Sequence, residues 1–139
     1  MAGEFSDAGA LGALEAVAGK TTLSAATTYL ALLTAAPADD DTVADLTEYT
    51  ATGYSRQAVT WSAAALNGSL VPEIDNSAAI TFGPFTAGTG ATITHCALVT
   101  SASGTTGEVR MHWQLDTSRT PGTNDSLQFA ISALKMTLD

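Results

Sequence analysis

Side chains able to do chemistry are sparse in this sequence and fall in three places: His95-Cys96, His112, and the run Asp39-Asp40-Asp41. An imidazole can ligate a metal or move a proton near neutral pH, and a thiolate is a nucleophile and a soft ligand. In a regular strand, however, neighbouring side chains point to opposite faces, so His95 and Cys96 make a poor thiolate–imidazole couple. His95 and His112 lie in separate predicted strands and would need a third ligand to hold a metal, a convergence this spacing does not supply. The expectation is a hydrogen-bonded, partly buried His95 and a solvated His112. Calcium needs six to eight oxygens arranged by a bent loop. Three consecutive aspartates point in different directions, and neither a turn Gly nor a closing Glu follows them. They read as a solvated, self-repelling loop.

Other reaction classes lack their signatures. The serines and threonines are many, but there is no G-x-S-x-G elbow. The glycine-containing segments match neither a phosphate-binding loop nor a dinucleotide fingerprint. Phe82-Gly83-Pro84-Phe85 is aromatic and reads as core and turn, since aromatics serve packing first. The sequence therefore predicts no catalytic residue, no cofactor-binding residue and no metal ligand: not an enzyme.

The elements that carry these residues are mostly strands. Thr92–Thr100 holds His95 and Cys96, and Glu108–Leu115 holds His112. In the latter, Val109, Met111, Trp113 and Leu115 alternate with Arg110, His112 and Gln114, the pattern of a sheet with one wet face. Thr27–Thr34 is apolar on both sides and reads as central. Tyr54–Ala63 places Val59 and Trp61 on one face, with Arg56 and Thr60 on the other. Ser77–Phe82 turns Ala78, Ile80 and Phe82 inward. Leu127, Phe129 and Ile131 alternate, then Leu134, Met136 and Leu138 do so with the opposite parity, which requires a bulge or turn at Ser132-Ala133. Asn67-Gly68 is a turn, and Pro72 argues against a central strand. Ala35–Thr52 is a long acidic connection that must run over the surface.

One helix precedes the strands. Ser6 and Asp7 can cap it, Leu11, Leu14 and Ala18 share one side, and Gly19 can end it in a left-handed conformation. Gly9 and Gly12 weaken it, so it needs something to pack against, either its own sheet or another molecule. The fold class expected is all-β: a single antiparallel β-sandwich or small barrel over residues 21–139, with an N-terminal helical arm over residues 1–20.

Composition sets further bounds. At 139 residues the chain fits one domain. Of its 45% apolar residues many are alanine, which predicts a thin core helped by contacts with neighbouring subunits. Five basic residues against fourteen acidic give a net charge of −9. Phosphate recognition needs clustered Lys and Arg, so neither nucleic acid nor an anionic membrane is an expected partner. One cysteine excludes an intramolecular disulfide and reads as a buried small hydrophobe. No run approaches the ~20 apolar residues of a membrane span. Met1–Gly19 lacks the basic and continuously apolar regions of a signal peptide. The protein is expected to stay in soluble form in the host cytoplasm until it assembles or lysis releases it.

Five segments taken in order give the chain a family likeness: YLALLTAAP (29–37), GYSRQAVTWSAA (53–64), NSAAITFGPF (76–85), ATITHCALV (91–99) and DSLQFAISALKMTLD (125–139). Over residues 27–139 it resembles the small virion structural proteins of tailed bacteriophages, described as tail-fibre-like, minor tail or capsid decoration proteins. G-Y-x-R-Q and the terminal A-L-x-x-T-L-D are its more specific parts. The resemblance implies a β-sandwich virion component without catalysis. The first expectation is a capsid decoration protein on the exterior of the head, a homo-oligomer such as a trimer, with the major capsid protein as partner. The alternatives are a minor tail or fibre-base protein, and a receptor- or carbohydrate-binding β module using Trp61, Trp113 or Tyr54 as stacking platforms.

Overall fold

The computed structural model describes residues 1–21, 26–87 and 90–138. Among them are ten strands and one helix: β1 (Glu4–Phe5), α1 (Asp7–Val17), β2 (Thr28–Leu33), β3 (Gln57–Val59), β4 (Ala65–Leu66), β5 (Pro72–Asp75), β6 (Ile80–Phe82), β7 (Ile93–Val99), β8 (Val109–Arg119), β9 (Leu127–Phe129) and β10 (Lys135–Thr137). The fold is all-β and antiparallel, with one short helix near the N-terminus. The principal sheet has the order β1-β8-β7-β2-β3, beside a three-stranded sheet β10-β5-β4 and a pair β6-β9.

Period-two alternation builds two cores on the principal sheet. Cys96 pairs with Leu32 and with Trp113, and Leu98 with Leu30 and with Met111. These side chains bury on one face together with Ile80, Phe82 and Phe129 of β6-β9, Phe85, and Leu134 just before β10. The opposite face carries a smaller cluster of Ala31, Leu33, Ala97, Val99 and Val109. β2 is central, as its two-sided apolar pattern requires.

Several details depart from the sequence reading. Val109 does not share a face with Met111, because the β7–β8 register shifts between Leu98 and Val99 and leaves Arg110 as the extra residue of a bulge. A second shift lies between Ile93 and His95. Ile93 joins the main core while Ala97 joins the smaller one, so the expected common face of Ile93, His95 and Ala97 is broken. The acidic connection does turn Asp39, Asp40 and Asp45 to water. It also covers the second face of the sheet with Val43 and drops Tyr49 into the main core. Pro72 opens β5, the central strand of its sheet, a position open to proline because it is the strand's first residue. Ala78 is exposed rather than inward. The long strand expected at Tyr54–Ala63 shortens to Gln57–Val59, since Tyr54 and Arg56 are engaged elsewhere and Trp61 bridges to Asn76.

Local signals hold well at the ends of the chain. Ser6 caps α1, its Oγ accepting from the Gly9 amide at 3.1 Å and donating to the Val109 carbonyl. Gly19 ends the helix at φ +70°. The parity switch in the tail is a turn with Ser132 at φ +60°, after which β10 leaves β9 for the other small sheet.

Candidate functional site

Pairing β7 with β8 brings the two histidines to one face of the sheet, where a cleft of about 550 Å3 opens between the N-terminus, the acidic loop and these strands. His95, His112, Asp39, Glu4 and Asp116 line it. His112 is 7% exposed, not solvated as its alternation suggested. The loop carrying Asp39 reaches this side of the sheet, placing Asp39 Oδ1 3.4 Å from His112 Nε2. His95 is half-buried, with Nδ1 2.9 Å from Thr94 Oγ1. Burial, then the neighbouring His112, lower the His95 pKa, and Glu4 opposes them.

The chemistry open to this cleft is limited by what does not join it. Cys96 faces the main core, fully buried, and burial drives its thiol well above the ordinary range. Asp41 accepts from the Ala38 amide and Asp45 from Thr42, so these two carboxylates close their own turns, whereas Asp39 reaches His112. Among the described residues, no group of three His, Cys, Asp or Glu side chains is placed to hold a metal ion. What remains is an acid-rimmed cleft that holds the two imidazoles.

A second constellation is built on the G-Y-x-R-Q motif, to which the sequence reading assigned no structural role. Arg56 forks onto Glu48, Nε to Oε1 at 2.9 Å and Nη2 to Oε2 at 2.7 Å. Its other N–H groups donate to Ser101 and to the Gly104 carbonyl. Tyr54 donates its hydroxyl to Glu48 at 2.6 Å and accepts from the Leu32 amide. Desolvation and the Glu48 carboxylate both push the Tyr54 pKa upward. Gly53 sits at φ +93°, and a Cβ there would run into the Pro84 carbonyl. G-Y-S-R is thus a clamp joining three loops to the sheet. Asn76 does similar work, fully buried, donating to the Ala78 and Ala130 carbonyls and accepting from the Leu134 amide. Arg56 sits between Ser55 and Gln57 and Asn76 between Asp75 and Ser77, so the sequence carried no signal that either would be buried and would therefore need partners.

The aromatic side chains considered as stacking platforms make internal contacts. Trp113 is buried and donates to the Lys135 carbonyl, Trp61 stacks on it at 6.5 Å, and Tyr54 stacks on Phe82 at 6.0 Å. Among the described residues, no helix is long and apolar enough to cross a membrane.

These features define an acidic all-β module whose distinctive polar residues hold its loops together. The family described as "Podophage GP4 fiber I protein gp80" has a model that matches residues 4–137, nearly the whole chain. The chain belongs to this family, and is a tailed-phage virion structural protein of fibre-like kind. No curated protein matches it.

Proposed function

We propose that the protein is a non-enzymatic building block of the fibre apparatus of a podophage, supplying a rigid β platform in the virion. The observation that carries this reading is the extent of the family match, from β1 through β10, so that the fibre-family unit and this fold are the same unit. The polar residues of the family-like segments support it, because Arg56, Tyr54 and Asn76 are spent on loop clamps. A net charge of −9 suits a part kept apart from packaged DNA. Cryo-EM of the intact particle tests the placement. Density for this fold at the tail or fibre supports it; density at many positions on the shell replaces it with head decoration against the major capsid protein.

A further inference from the structure

The hairpin that joins β4 to β5 carries leucine at the position where its geometry asks for glycine. The Asn67 carbonyl accepts from the Leu70 amide, and the Asn67 amide donates to the Val71 carbonyl. That pattern is a three-residue loop, whose closing residue takes the left-handed conformation that glycine adopts freely. Leu70 holds it at φ +61°. Gly68, two residues earlier, has no positive φ and open space around it. Asn67 Oδ1 locks the loop by accepting from the Ser69 and Val71 amides. The strained leucine packs little inside its own molecule, being 76% exposed. Strain at a bulky residue is a pointer to function, and what this residue presents is an outward apolar knob.

The same chain carries a seat for such a side chain. A hollow of about 310 Å3 beside the Arg56 clamp is walled by Tyr49, Tyr54, Ala102 and Gly104, and its surface is chiefly apolar. The charged groups there, Arg56 and Glu48, are spent on each other. The hairpin segment Ser62–Val71 carries no charge at all. In a chain at −9, contact between copies is opposed by carboxylate repulsion. Knob and hollow meet without bringing an unpaired charge from either side. We propose that Leu70 of one copy enters the hollow of a second copy. Knob and seat are different patches, so the contact is heterologous and repeats from copy to copy, closing a ring or extending a filament. It goes beyond placement of the protein in the fibre apparatus, and the isolated protein suffices to test it.

Glycine and asparagine both suit the left-handed position, so Leu70→Gly and Leu70→Asn in the full chain should raise the thermal midpoint by a few degrees. Both should weaken self-association about tenfold or more, read by sedimentation at high concentration. Ala102→Trp, which fills the hollow from an exposed position, should weaken it equally. Under mild oxidation the buried native Cys96 stays silent. Leu70→Cys mixed with Ala102→Cys should then cross-link several-fold more than Leu70→Cys mixed with a control at exposed Thr123. A protein that stays monomeric at every concentration, or Leu70 variants that associate as the parent does, would overturn the contact. Equal cross-linking to Ala102→Cys and Thr123→Cys would overturn the seat. A lowered midpoint in Leu70→Gly would show that Leu70 is held for its own molecule's stability and would overturn the knob.

Discussion

Arg56 and Glu48 form a two-pronged ion pair at 2.9 and 2.7 Å, with the Arg56 side chain only 4% exposed. Because the pair also bonds Tyr54, Ser101 and Gly104, one guanidinium ties the acidic connection, β3 and the β7–β8 turn together. Removing one partner leaves the other charge desolvated. Arg56→Ala should therefore cost about 3 kcal/mol of unfolding free energy in urea titration. Arg56→Lys should not restore it, since an ammonium cannot reproduce the fork. A loss under about 0.5 kcal/mol would class the pair with surface ion pairs.

Gly9 and Gly12 lie on the same helix yet should respond to alanine with opposite signs. Alanine is ordinarily the better helix former by roughly 1 kcal/mol. At Gly12 the added methyl meets only the flexible end of Arg110, at 3.0 Å, so Gly12→Ala should be neutral or stabilising. At Gly9 it meets backbone, so Gly9→Ala should destabilise by about 1–3 kcal/mol and loosen α1 from β8. Hydrogen exchange of the Ser6 and Ala10 amides, bonded to Arg110 and Ser6, reports the loosening.

Stability should fall on acidification in two windows. The His95 pKa lies below its ordinary 6.5 through burial and His112, so below that value the unfolded chain binds more protons than the folded one. Stability is thus fully present above pH 6.5 and declines as pH falls toward the folded His95 value. Glu73, held down by Lys135 and then Asn67, and Asp75, held down by Ser132 and then Ser62, act in a lower window. Their contribution is present above the ordinary carboxylate values of 4.5 and 3.8 and is lost as pH falls through the lowered ones. Thermal midpoints against pH should show both slopes, and His95→Gln should flatten only the upper one.

Cys96 should behave as packing. Its sulfur is buried between Leu32 and Trp113, and burial holds the thiol protonated. A thiol reagent at pH 8 should modify it only as fast as the protein unfolds, with the rate rising in urea as the unfolded fraction does. Rapid modification of the native protein would show that the main core opens locally at β7.

The sequence by itself determined what is local. Two-sided apolar character marked the strand Thr28–Leu33, strand vocabulary marked Ile93–Val99, and alternation marked Val109–Arg119 as far as Leu115; Ser6 and Gly19 marked the ends of the helix, and the parity break marked the turn at Ser132. The motif order made the virion likeness readable, and the charge balance was plain from composition. Tertiary structure alone decided which face each residue serves. The bulge at Arg110 moved Val109 to the second core, and a loop that begins far upstream put Asp39 against His112 across 73 residues of sequence. The Arg56 clamp and the seating of α1 on β8 likewise depend on partners distant in sequence. Periodicity is carried by neighbours along the backbone, whereas burial and ion pairing depend on which distant segment arrives, and register shifts of one residue reverse the face.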